Sequence, residues 1–195
     1  MMRVGIDEAG RGPLAGPVAV GVVAVPQGYN IKKRFPGVAD SKKLSPKKRE
    51  ALFALLEAAA KRGEVSYTVQ FKSAAHIDNV GIAKAISQAV ARGLEHLAKV
   101  GAQKVCVVDV RVLLDGSLKA PKEYRQKTII RGDATEPIIS LASIAAKVIR
   151  DRHMVRLAKK FPRYGFEVHK GYGTKAHYAA LSRQGHCALH RKTFL

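Results

Sequence analysis

Cysteine is nearly missing: Cys106 and Cys187 are the only two in 195 residues, and they stand far apart. No disulfide framework and no CxxC-type thiolate site can be built from them, so a reducing compartment, the cytoplasm, is the expected setting. Long apolar runs are missing as well. Nothing approaches the ~18 unbroken apolar residues of a membrane span, and no basic segment followed by an apolar core and a cleavage site opens the chain. Membrane association and secretion are therefore unsupported. Acid is the third scarcity, with 15 Asp and Glu against 35 Lys and Arg for a formal charge of +20. A field of that size draws polyanions, and nucleic acid is the first partner class to consider.

The apolar residues that are present fall into readable periods. Residues 2–8 and 15–25 (AGPVAVGVVAV) are Val-rich and separated by a Gly-Pro turn, which predicts two adjacent strands paired as a hairpin. Ser45 and Pro46 fit the cap and first position of a helix whose face is Leu52, Leu55, Leu56 and Ala59. EVSYTVQF, residues 64–71, alternates as a strand, and a long helix runs from Gly81 to Gly101 on Ile82, Ala85, Ile86, Ala89, Val90, Leu94 and Leu97. VCVVDVRVLLDG and TIIRGD, residues 105–116 and 128–133, predict two further strands. Residues 137–161 predict a helix so apolar at its start that it must lie deep. The pattern is an α/β sheet flanked by helices. Without repeats or linkers it forms one domain, residues 1–195, and with no hydrophobic seam it is expected to be a monomer. The last 49 residues carry +10 of the +20, so this quarter is the expected polyanion-binding flank.

Most of the acids sit among basic residues on helix faces, as solvated surface charges do. Asp7, Glu8, Asp115 and Asp133 differ, because each ends an apolar run and adjoins glycine: VGIDEAG, VRVLLDG, TIIRGD. Carboxylates gathered at strand ends repel one another and are costly to desolvate unless a cation lies among them. Hard oxygen donors select Mg²⁺ or Mn²⁺. Two such ions about 4 Å apart would activate a water and stabilise the leaving oxygen of a phosphodiester. Ordinary Asp-Gly turn chemistry is the competing explanation. Because Asp7 and Glu8 are consecutive, one cluster can use both only if the strand ends or bulges at Glu8, and the Gly10-Arg11-Gly12-Pro13 turn offers that break.

DEAGRGPLAGPV, DSKKLS at 40–45, RGD at 131–133, SLASIAAKVIRDR at 140–152 and FPRYGFEVHKGYGTKAHYAAL at 161–181 together resemble type 2 ribonuclease H, bacterial ribonuclease HII, from about Val4 to Phe194. The resemblance implies a ribonuclease H-like mixed sheet with a basic helical C-terminal extension over about residues 153–195. It implies endonucleolytic cutting of the RNA strand of RNA/DNA hybrids, and of duplex DNA 5′ of a single embedded ribonucleotide, leaving 3′-hydroxyl and 5′-phosphate ends. Two divalent ions, Mg²⁺ or Mn²⁺, would act with the substrate. By position, Asp7 and Glu8 correspond to the first two metal-binding acids and Asp133 to the fourth. For the third, the Asp-Gly ending of the strand and its place 18 residues before Asp133 favour Asp115, while Asp109 in VVDV, of the same strand parity, is the alternative.

The family reads the junction between RNA and the next deoxynucleotide through a Gly-Arg-Gly turn, here Gly10, Arg11 and Gly12, and a tyrosine, placed by HKGYGT at Tyr172 rather than Tyr164. The 2′-hydroxyl is what separates RNA from DNA, and an aromatic ring packs on the deoxyribose that lacks it. Ser140, Ser143 and Lys147 share one face of the deep helix and are expected to hold phosphate oxygens, the alternative being that the serines bond back to the helix and Lys147 reaches out to solvent. Ser41 and Lys42 are expected on a substrate-facing loop. His186 and His190 beside Cys187 supply no fourth ligand at regular spacing, so zinc is not expected. His169 is expected near substrate without a proton-transfer role.

Overall fold

The structure is a computed structural model that describes residues 1–41, 43–100 and 109–195. The expected hairpin is there: β1 (Met2–Ala9) and β2 (Val18–Pro26) pair antiparallel with Asp7 opposite Gly21. After the short helix α1 (Ile31–Arg34) comes α2 (Pro46–Lys61), where the Ser45 hydroxyl accepts from the Lys48 N–H and Pro46 occupies the first turn. β3 (Ser66–Lys72) pairs antiparallel with β2. A helix absent from the sequence reading, α3 (Ala74–Val80), is capped by Ser73 and precedes α4 (Ile82–Val100). The expected stop at Gly101 lies outside the described residues, as does the start of the strand expected from Val105.

β4 (Val110–Asp115) and β5 (Arg125–Ile129) complete a five-stranded sheet of order β3-β2-β1-β4-β5, parallel at β1/β4 and β4/β5. β5 begins and ends before the predicted 128–133. It is an edge strand paired only with β4, so a polar sequence suffices, and Arg131 in a left-handed turn (φ 55°) breaks the strand before α5 (Gly132–Thr135). α6 (Pro137–Ala158) follows, ending three residues short of the expected helix.

Two apolar layers sandwich the sheet. Val4, Ile6, Val112 and Leu114 pack with α4 through Ala85, Ile86, Ala89, Val90, Leu94 and Leu97. The opposite face packs on α6 through Leu113, Ile138, Leu141, Ala142 and Ala145, with α2 contributing Leu52, Phe53 and Leu56. Each fully buried aliphatic contributes roughly 1.5–3 kcal/mol by area. Gly5 and Gly21 bring α6 onto the strands, since a Cβ at Gly5 would lie 2.4 Å from the Ile138 carbonyl oxygen and one at Gly21 2.2 Å from that of Ala142.

The C-terminal part, with α7 (Phe166–His169) and α8 (Lys175–Gln184), has its own small core of Ala15, Met154, Ala158, Tyr164, Phe166 and Ala180. It is stitched to the β1–β2 connection. Leu14 and Ala15 donate N–H bonds to the Gly171 carbonyl, Gly16 donates to Leu189, and Arg191 donates to Leu14.

Candidate active site

Side-chain alternation along β1 sends Val4 and Ile6 toward α4 and leaves Gly5 and Asp7 on the α6 face. On β4 the same rule puts Leu113, and with it Asp115, on that face. Because β1 and β4 are parallel and Ile6 pairs with Leu114, Asp7 and Asp115 leave the sheet side by side at its carboxyl end. Asp133 arrives from α5, and its N–H donates to Asp115 Oδ1 at 3.2 Å. Asp7, Asp115 and Asp133 each present a carboxylate oxygen, all within 4.8 Å of one another, and among the described residues no other His, Cys, Asp or Glu group does this.

Glu8 is outside that group. β1 pairs on through Ala9 without a bulge, yet Glu8 lies close enough to Asp7 and Asp115 for the three carboxylates to interact, and it takes a 3.4 Å bond from Arg11 Nη1. Asp109 stands just before β4, about 20 Å of strand away from Asp115 at ~3.3 Å per residue and 63% exposed, where it pairs with the N-terminal amine at 2.8 Å.

Burial raises the Asp7 carboxyl well above its ordinary range, and the neighbouring Glu8 and Asp115 push the same way against a hydrogen bond from Ser143. Burial also raises Glu8, opposed by Arg11. With Asp7 ionised, the Ser143 hydrogen goes to the carboxylate, so Ser41 donates to Ser143 across 2.7 Å. Ser140 donates to the backbone carbonyls of Asp133 (2.7 Å) and Glu136 (3.2 Å). All three serines are buried and bonded inward, whereas phosphate contacts were expected of Ser140 and Ser143 and a substrate-facing position of Ser41: α6 lies so deep that its hydroxyls meet the acids and the backbone first. Lys42 lies outside the described residues. A compact trio of hard oxygen donors, one of them made costlier to ionise by burial, fits a divalent cation as counter-charge.

Arg11 and Gly12 are exposed beyond the trio, while Gly10 is buried at φ 88° with the Arg150 guanidinium against its α-carbon. Tyr172 is 39% exposed, and its ring faces Lys147 Nζ at 5.5 Å and Arg150 Cζ at 5.7 Å. Lys147 also pairs with Asp151 at 2.9 Å. Tyr164 is buried, its hydroxyl on the Gly185 carbonyl, and stacks on Phe166. His169 is buried too, bonded to the Tyr164 carbonyl and the Gly171 N–H, so it supports the Tyr172 turn from below.

A family model described as Ribonuclease HII matches residues 4–195, nearly the whole chain. The chain belongs to the ribonuclease HII family. A ribonuclease HII from Geotalea uraniireducens is 45% identical over 190 residues, covering 97% of this chain and 81% of that protein. One from Geobacter metallireducens is 45% identical over 190 residues, 97% of this chain and 82% of that protein. Among solved structures, a chain of the PCNA:RNase HII complex from Archaeoglobus fulgidus superposes with a TM-score of 0.74 at 25% identity, covering 100% of this chain and 96% of that one. Ribonuclease H2 from Pyrococcus horikoshii OT3 gives 0.71 at 27% identity, covering 99% and 93%. As a ribonuclease HII, the protein is a ribonuclease H endonuclease of a family that acts on RNA/DNA substrates and depends on divalent metal.

Two residues that sequence reasoning missed stand beside this site. Arg150 and Arg191 are wholly buried, and neither has a carboxylate among its hydrogen-bond partners. The available signal was an arginine on the apolar stretch of α6; nothing in the C-terminal HRKTF marks Arg191 apart from its basic neighbours.

Proposed function

We propose that the enzyme cuts the phosphodiester on the 5′ side of a ribonucleotide, in hybrids and at single ribonucleotides within duplex DNA, leaving 3′-hydroxyl and 5′-phosphate ends. The observation that carries this reading is the meeting of Asp7, Asp115 and Asp133 at the carboxyl end of parallel strands inside a chain of charge +20. These three, joined by Glu8, would hold Mg²⁺ or Mn²⁺, and two such ions supply Lewis acidity at the scissile phosphate and lower the cost of deprotonating water.

The chain's own groups do the rest. Ser41 and Ser143 hold the Asp7 carboxylate in place from the interior. Gly10, Arg11 and Gly12 offer backbone to the ribose, with no atom within 4 Å of a Cβ at Gly12 to block approach. The Tyr172 ring, held by the Tyr172 carbonyl bond from His177 Nδ1 (2.9 Å), offers a face to the adjoining deoxyribose. Lys147 reaches from α6 over the Tyr172 ring, placed to meet a phosphate. A groove of about 650 Å³ between α2 and α6, in which Arg49, Arg152, Arg156 and Lys170 outnumber Glu50 and Asp151, extends the positive surface along the duplex. We infer one catalytic domain over residues 1–195 with the basic segment 153–195 as its extension, acting as a cytoplasmic monomer. The scarcity of cysteine supports the compartment. Among the described residues no helix is long and apolar enough to cross a membrane.

The test is cleavage of a duplex carrying one ribonucleotide beside an all-DNA control, in Mg²⁺ and in Mn²⁺, with both product ends identified. A cut 5′ of the ribonucleotide, absent from the control, is expected. Tight binding without cutting, or cutting indifferent to the ribose, overturns the reading.

A further inference from the structure

Arg191 is separated from Gly10 by most of the chain, yet its guanidinium is closed around the glycine turn. Nη2 donates to the Gly10 carbonyl at 2.6 Å, Nη1 to the Arg11 carbonyl at 2.8 Å and Nε to the Gly16 carbonyl at 3.0 Å. Its own N–H is tied to the Leu14 carbonyl at 2.8 Å, and the plane of the guanidinium packs over Phe194 at 5.0 Å. Closing a loop needs no buried guanidinium, since an aliphatic side chain would do so without the desolvation. What an aliphatic cannot do is fix two consecutive peptide planes.

In a trans peptide the C=O and the N–H point in opposite directions. Turning the carbonyls of Gly10 and Arg11 inward onto Arg191 therefore turns the N–H groups of Arg11 and Gly12 outward. Those two residues are exposed, and the space beside Gly12 is open. From the other side Arg150 closes on Gly10, where a Cβ would lie 1.9 Å from Nε, and reaches the Lys170 carbonyl at 3.1 Å. The glycine turn and the Tyr172 turn are thus tied to one pair of cations.

We propose that Arg191 is a positioning residue for ribose recognition: it orients the Arg11 and Gly12 N–H groups as a donor pair for the 2′-oxygen and keeps them in register with Tyr172. This rests on the reading above that the glycine turn faces the ribose. Arg191 touches no substrate. It acts by removing the rotational freedom of two peptide groups before substrate arrives.

The experiment compares the full chain with Arg191→Met and Arg191→Lys on duplexes whose single target sugar carries either a 2′-hydroxyl or a 2′-fluoro group. All-DNA duplex binding and thermal melting are measured in parallel. In the Met variant kcat on the ribonucleotide duplex is expected to fall roughly a hundredfold, the loss that accompanies an ångström-scale misplacement, while all-DNA affinity stays within about threefold. The ratio of hydroxyl to fluoro cleavage, which does not depend on the fraction of folded enzyme, is expected to shrink about tenfold, and Lys to restore part of it. An unchanged ratio in either folded variant overturns the proposal. So does a parallel loss on both sugars that follows the folded fraction. If Met prevents folding, the Lys variant decides by the same ratio. Failure of the unaltered enzyme to cut 5′ of the ribonucleotide sinks instead the reading beneath.

Discussion

Asp7 sits where the fold works against itself: a buried carboxyl, facing Asp115 and next to Glu8. Without a cation, Asp7→Asn is expected to raise the melting temperature by a few degrees, since relief of about 1 kcal/mol moves it ~2–4 °C in a chain of this size. The variant is also expected to lose cleavage and the Mn²⁺-induced gain in melting temperature; differential scanning calorimetry with and without metal checks both. The two aspartates that competed in the sequence separate equally well. Asp115→Asn is expected to cost roughly a thousandfold in kcat, and Asp109→Asn to leave kcat unaltered, measured on one ribonucleotide substrate. Strand parity leaves both on the same face, and what parity cannot supply is distance along the strand from Asp7, which the parallel pairing with β1 fixes. That β1 runs on past Glu8 without a bulge was likewise beyond reach, because whether a strand bulges depends on its partner, here an unbroken β2.

At the scale of elements, the apolar periods located β1, β2, α2, α4 and α6, because each of these buries a face against the sheet and the burial is written in the spacing. α3 escaped, and β5 was foreseen a few residues too late along the chain, for the opposite reason. β5 is a polar edge whose pairing is dictated by β4, and α3 is a short helix set by the Ser73 cap more than by a stripe. The depth of α6 was legible, and so was the alternative that Ser140 bonds back to the helix, as it does to Glu136, but the meeting of Ser143 with Ser41 was not, since it depends on a contact 102 residues away in sequence. The closeness of α6 to the strands depends on two missing side chains. Gly21→Ala is expected to destabilise by about 1–3 kcal/mol, as overpacking does, because the Ala142 carbonyl has no room to yield. Urea unfolding at constant m-value measures it.

Over the whole molecule, the excess of Lys and Arg predicts steep salt dependence, with log K for duplex binding falling against log salt by ~0.9 per phosphate neutralised. Lys147→Ala is expected to lower that slope by about 1 for every sequence alike, by fluorescence anisotropy. The C-terminal part carries a pH dependence of its own. His190 accepts the Cys187 N–H at Nδ1, and its Nε2 meets His177 Nε2 at 3.1 Å, while His177 Nδ1 donates to the Tyr172 carbonyl. That chain of bonds requires both rings neutral. Burial holds His190 down at about 4 against an ordinary 6.5, and burial lowers His177 as well. The unfolded chain therefore binds more protons between pH 6.5 and 4. Stability is expected to be full above that window and to fall as pH drops through it, and melting temperature against pH, compared with His190→Asn, isolates the contribution.

The carboxylates of the site all lie within the first 133 residues and the helix packed behind them ends at Ala158, whereas the guanidinium that orients the glycine turn arrives only at position 191. During translation the capacity to capture a divalent ion thus precedes the capacity to tell one sugar from another. A nascent chain ending between Ala158 and Arg191 would carry every acid of the cation site and the helix behind them, with its discrimination still unmade.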